Sequence, residues 1–305
     1  MSKLLSFFII SMFACGAYAD DFGTAMTNVK NNCSNISGDL NDLKKMAGIN
    51  TAITGVGTAT AIGATAVGIA KSSVDEEIEN IIQKALEGKT KPAENPNEKD
   101  VKDAIDAYFK ESSKSANDTD TQNLDELAEK SEKSKNLGNW RTGLLGASTA
   151  TNVAGAVIAG NNKVDDDLQT KIDNCIASVD ALQNAIGQAR MDGIDVTQAQ
   201  KIVSACSKWE EADLSKVNDR AKGAMISSIV GATTGIAGTV TSAVANSDKT
   251  RAGDKDTEKN LNTTSNILAG GTTIASGVAT AFNATQISAV KKIVTIAEEC
   301  EETLK

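Results

Sequence analysis

From Phe22 onward, apolar residues recur at Met26, Val29, Cys33, Ile36, Leu40, Leu43 and Ala47, in steps that alternate four and three. That alternation is the seam of a coiled coil and predicts a helix whose narrow apolar stripe faces a partner helix. It returns at Leu168, Ile172, Cys175, Val179, Leu182, Ile186 and Ala189, and again at Val290, Ile293, Ala297, Cys300 and Leu304. Around Cys206 it is looser (Ile202, Trp209, Leu214, Val217) but still helical. Three of these seams place a cysteine on the stripe, so each of those cysteines faces another helix.

Between the seams the pattern changes. Stretches 46–70, 142–162, 223–247 and 260–290 carry no charge, and small residues recur in them every fourth position. The rows are Gly55, Ala59 and Gly63; Gly143, Ala147, Thr151, Gly155 and Ala159; Gly223, Ser227, Gly231 and Gly235; and Ala269, Thr273, Gly277 and Ala281. Residues four apart share a helix face, so each row predicts a shallow groove that admits a second backbone. Each interior glycine costs a helix about 1 kcal/mol relative to alanine, so close packing is expected to return that cost. The rows resemble the glycine zipper of membrane and pore-forming proteins, a packing device rather than a family signature. Both prolines, Pro92 and Pro96, lie in one segment, which leaves the rest open to long helices.

The cysteines give the register. Cys33 precedes Gly48 by 15 residues, and Cys175 follows Gly160 by the same 15. An antiparallel hairpin with these pairings folds about position 104, inside the charged segment 71–136. Pairing Cys206 with Cys300 places the second fold at Gly253, in a polar turn. Four cysteines allow three connectivities, and this symmetry favours 33–175 with 206–300 over Cys175–Cys206. The expected fold is all-α: an elongated antiparallel bundle of two long helical hairpins, 20–70 with 137–191 and 196–305. Segment 71–136, with 17 acidic and 11 basic residues, is expected to be a separate helical insertion. Its helices are read near 74–86 and 100–114, the second presenting Tyr108 and Phe109, and a charged helix follows a polar turn at 117–122 and runs through Leu124 and Leu127.

At the N-terminus, Lys3, an apolar run over Leu4–Ala14 and Ala17-Tyr18-Ala19 read as a signal peptide cut after Ala19. Lipidation at Cys15 is the rival, with Met12 standing where an aliphatic residue is usual. An exported protein with four remaining cysteines is expected to form disulfides.

The chemistry is mostly absence. With no histidine, the Ser-His-Asp and Cys-His arrangements and histidine metal ligands are excluded. Gly88-Lys89-Thr90 ends like a phosphate loop, but Gln83 replaces its first glycine. Asp248 and Gly253 stand as in a calcium loop, but Ala252 and Lys259 occupy positions that require oxygen ligands, and Asp165-Asp166-Asp167 reads as a helix start favoured by the dipole. No catalytic, cofactor or metal residue is expected, and the net charge of −9 disfavours both nucleic acid and anionic lipid as electrostatic partners.

The leading reading is therefore a non-enzymatic exported scaffold of the cell envelope, acting through a protein partner or self-association. The alternative is a membrane-active hairpin protein that uses the four uncharged stretches. Their lengths fit a bilayer. Their low hydropathy, with four asparagines and Gln286 in 260–290, argues the other way.

Overall fold

The computed structural model describes residues 21–86, 118–251 and 255–305, and among them every regular element is helical. Helix α1 covers 21–32 and α2 covers Ile36–Leu86; α3 is Asp118–Asn161 and α4 is Asp166–Met191. Then come α5 (Thr197–Cys206), a 3-10 turn at Ser207–Glu211, α6 (Leu214–Ala245), the short α7 (Asp248–Arg251) and α8 (Lys255–Thr303). Outside the described residues lie the signal peptide with Cys15, the phosphate-loop remnant, the proline segment, the helix expected at 100–114, and Gly253.

Local chemistry sets the breaks. Asp165 caps α4 by accepting the Leu168 N–H at 2.8 Å, so the aspartate run does start a helix. Gly193, at φ +78°, ends α4, and the Ile194 N–H reaches back to the Ala189 carbonyl at 2.9 Å. Two elements differ from the sequence pattern. The seam from Phe22 to Ala47 is interrupted at 33–35, where Asn35 takes φ +65°, a conformation its short polar side chain tolerates. Residues 71–86 are no separate piece: α2 continues through them without a break.

The helices fold into two compact units, and α2, α3, α6 and α8 each contribute residues to both. Unit 1 takes the described residues up to Thr51, Val157–Met225 and Ala281–Lys305; unit 2 takes the described residues of Ala52–Ala156 and Ile226–Thr280. Both expected hairpins therefore supply both units.

Unit 1 keeps most of its large apolar side chains inside. Val29, Ile36, Leu40, Leu168, Ile172, Leu182, Trp209, Val217, Val290 and Ile293 are buried in one apolar cluster. Burying such a side chain is worth about 1.5–3 kcal/mol. Disulfides Cys33–Cys175 and Cys206–Cys300, the pairing favoured by the spacing, sit within this cluster with Cα separations of 4.7 and 4.6 Å. They close sequence separations of 142 and 94 residues, for which chain entropy gives about 5 kcal/mol each. The sulfurs of Cys33, Cys175 and Cys300 lie within 4.8 Å of one another, but as disulfide sulfurs they offer no thiolate to a metal.

Candidate functional site: an inverted helical bundle

Unit 2 has a different construction. Its α2 and α3 segments run antiparallel, tied where the Ser148 hydroxyl donates to the Gly57 carbonyl at 2.9 Å. Its α6 and α8 segments are joined likewise, through Ser265 donating to the Gly238 carbonyl (3.0 Å) and Thr234 with Thr272 (2.9 Å). Thr58–Thr280 and Thr65–Thr273 link α2 to α8, and Thr142–Ser242 links α3 to α6. At the centre Asn152 donates to the Ser148 carbonyl (2.9 Å) and to Ser276 Oγ (2.8 Å), while Ser276 donates back to Asn152 Oδ1 (3.1 Å).

This interior is polar. Thr54, Ser148, Asn152, Ser228, Ser242, Ser265, Thr272 and Ser276 are all buried, whereas the apolar cluster of the unit amounts to Ala64, Leu145 and Ala269 with Leu144 against it. The outside is apolar. Between 52 and 70 the exposed residues are Ala52, Val56, Ala59, Ile62, Ala66, Ile69 and Ala70. Between 142 and 156 they are Gly143, Ala147, Ala150 and Val153. On α6 they are Ile226, Ile229, Val230, Thr233, Ile236, Ala237, Val240, Ala243 and Val244; on α8 they are Ile267, Ile274 and Val278, preceded toward the charged end by Asn260, Thr263 and Thr264. Thr233 donates its hydroxyl to the Ile229 carbonyl and Thr263 to the Lys259 carbonyl, both at 2.9 Å. Thr58, Thr65, Thr149, Thr241 and Thr273 bond back to their own helices in the same way, at 2.7–3.0 Å. Of the eighteen exposed large apolar side chains described, fourteen belong to unit 2, as do thirteen of the eighteen buried polar ones.

Charge reappears at one end. Lys71, buried, meets Asp75 at 2.5 Å and Glu258 at 3.2 Å, and Asp75 also accepts from Ser134. Arg141, fully buried, donates through Nη2 to the Asn262 carbonyl at 3.3 Å, while its Nε and Nη1 find no hydrogen-bond partner among the described residues. Trp140 beside it is 69% exposed.

The predicted packing glycines divide. An added Cβ at Gly231 would stand 2.8 Å from Asn152, one at Gly235 would collide with Thr149 Oγ1, and one at Gly63 would touch Leu144 at 3.4 Å. Gly155 is buried, whereas Gly55, Gly143 and Gly277 have nothing within 4 Å of a Cβ. In unit 1, Gly223 lies under the Phe282 ring, 2.8 Å from a Cβ position. Positions the rows passed over are as tight: Gly57 faces Thr151 at 2.5 Å, Gly68 faces Asn266 and Arg141, and Gly138 faces Asn246. Sequence reasoning also missed the hydroxyl–amide network. Its signal was present in the asparagines of the uncharged stretches, which were counted only as lost hydropathy. Asn262, Asn283 and Gln286 are buried and Asn266 is partly so, while Asn260 is exposed at the charged end of its stretch.

Among the described residues, three long helical runs, Asp21–Ile81, Glu126–Met191 and Thr197–Ala245, contain a window long and apolar enough to cross a membrane by length and composition. Comparison with known protein families, curated proteins and solved structures returned no match.

Proposed function

We propose that this chain is a non-enzymatic exported protein of the cell envelope whose unit 2 resides in a lipid bilayer as a packed helical anchor. The observation that carries this reading is the inversion of unit 2: hydroxyls and amides inside, Ala, Val and Ile outside. In water this arrangement wastes apolar burial, and contiguous exposed apolar surface of that extent marks an interaction site. In hydrocarbon the same arrangement is favourable. Lipid tails solvate Ile and Val, small residues let helices approach, and interhelical hydroxyl and amide bonds hold the bundle. Polar groups there need internal partners, and the threonines return their hydroxyls to their own carbonyls.

The uncharged stretch 46–70 would be about 37 Å long as a helix at 1.5 Å per residue, enough for a core of about 30 Å. The disulfides fit an oxidising compartment, as export requires. Because Leu145, Ser148, Asn152 and Ser276 fill the interior, the bundle is read as an anchor and not as an open pore.

Flotation of the oxidised protein with phosphatidylcholine vesicles, with dye release read in parallel, tests this. Co-flotation without dye release is expected. Full recovery in buffer as a monomer overturns the reading. Recovery as a soluble oligomer overturns it too, in favour of the self-associating scaffold.

A further inference from the structure

The four uncharged stretches have eight ends, and in seven of them the first charged residue is basic: Lys45, Lys71, Arg141, Lys163, Lys222, Lys259 and Lys291. Asp248 is the exception. The chain as a whole has more acidic than basic residues, 40 against 31, so this bias runs against its composition. Basic residues at span ends are what an interface with phosphate headgroups selects.

The two sets of ends differ. Lys71 is buried and paired with Asp75 and Glu258, Arg141 is buried, Asp248 is paired with Lys135 at 2.9 Å, and Lys259 follows Asp256 and Glu258. The ends in unit 1 are all lysine. Lys45, Lys163, Lys222 and Lys291, with neighbouring Lys292, are exposed, and none of them takes part in an ion pair among the described residues. The nearest acids, Asp42, Asp165 and Asp219, each lie two or three residues farther from the uncharged stretch than the lysine does.

These lysines share one level of unit 1. The side-chain amide of Asn162, next to Lys163, lies 3.1 Å from the Leu43 carbonyl and 3.0 Å from the Ala47 nitrogen, on either side of Lys45, and bonds both when its nitrogen faces Leu43 and its oxygen Ala47. Val164, on the other side of Lys163, exchanges hydrogen bonds with Asn218, one helical turn before Lys222. Gln286 donates to the Asn162 carbonyl at 2.7 Å, and Lys291 lies five residues farther along α8. At 1.5 Å per residue the lysines fall within a band of about 15 Å. On the stretch side of this band unit 1 exposes Met46, Ile49 and Val157, three of its four exposed large apolar residues.

We infer that Lys45, Lys163, Lys222, Lys291 and Lys292 form a collar that binds the phosphate headgroups of an anionic lipid leaflet. Met46, Ile49 and Val157 enter the acyl boundary beside it. This rests on the bilayer reading and adds to it a lipid class and an asymmetry between the two ends of the spans. The charge complementarity is local, since an acidic protein would otherwise be repelled by an anionic surface.

The test is flotation of the oxidised full chain with two vesicle types, phosphatidylcholine alone and phosphatidylcholine mixed with phosphatidylglycerol. Binding to the mixed vesicles is expected to be about 100-fold tighter at low salt and to weaken as salt rises. The variant K45Q/K163Q/K222Q/K291Q is expected to lose that advantage while still floating on neutral vesicles. All four positions are exposed, and unchanged circular dichroism verifies its fold. The control K130Q/K133Q/K135Q/K249Q removes as much charge elsewhere and is expected to keep the advantage. Equal flotation of the native chain on both vesicles overturns the collar and leaves the anchor standing. Equal losses in the two variants overturn the collar as well, and flotation on neither vesicle overturns both proposals.

Discussion

Units 1 and 2 are built from the same helices under opposite rules. Unit 1 buries Leu, Ile, Val and Trp, locks them with two disulfides and turns its charges outward. Unit 2 buries Ser, Thr and Asn, holds them with bonds such as Asn152–Ser276, and turns Ile and Val outward. The contrast teaches that hydropathy summed along a helix is a poor guide to its solvent. Stretch 260–290 carries asparagines and glutamine, yet it exposes Ile267, Ile274 and Val278 within unit 2 while burying Asn262. Which face each polar group occupies matters more than how many there are.

The sharpest way to break the comparison is to charge the outer face of unit 2. Ile229→Lys with Ile236→Lys should abolish vesicle flotation, since each lysine costs about 3 kcal/mol near a span centre. Met191→Lys, on exposed surface of unit 1, should change nothing beyond about 0.5 kcal/mol. Comparable effects of the two changes on flotation would erase the distinction between the units.

Nearly as large is the effect expected from the disulfides. Removing Cys33–Cys175 as a double serine variant should cost unit 1 about 5 kcal/mol, read as lost protection of its amides in hydrogen exchange. Vesicle-bound unit 2 should keep its protection, because no disulfide lies in it. Cys206→Ser alone should free only Cys300 for thiol labelling; labelling of Cys175 would contradict the pairing.

Smaller effects separate the glycines. Gly231→Leu or Gly235→Leu should destabilise unit 2 by about 1–3 kcal/mol through overpacking against Asn152 or Thr149. Gly277→Ala has open space around the new Cβ and should stabilise by about 0.5–1 kcal/mol. Thermal unfolding in lipid or detergent would show whether the two signs differ.

The smallest effect concerns Asp195, at the start of α5 in unit 1. Hydrogen bonds from the Thr197 side chain and backbone N–H hold its carboxyl below the ordinary aspartate value. A lowered folded-state pKa contributes stability above the unfolded value, and that contribution fades as pH falls through the folded one. An NMR titration of the Asp195 carboxyl should find it acidic in the folded chain, and Asp195→Asn should flatten the acid side of the stability profile slightly.

Much of this was readable along the chain. Cys33, Cys175, Cys206 and Cys300 announced their pairing because spacing in long antiparallel helices is arithmetic. The all-α class followed from unbroken helical period without proline, and Asp165 was recognisable as a helix start because capping is local. Asn35 was less legible, since the seam pattern runs straight through it and only its φ reveals the break.

What the sequence determined by itself is the helical class, the four uncharged stretches and their basic ends, each a matter of residues near in the chain. What only the tertiary structure decided is direction: that Asn152, Ser148 and Ser276 point inward together while Ile229 and Ile236 point outward. In a helix where nearly every residue is small, period alone cannot choose the buried face, because either face can pack. The choice is made where hydroxyls and amides on separate helices find one another, and that meeting is visible only in three dimensions.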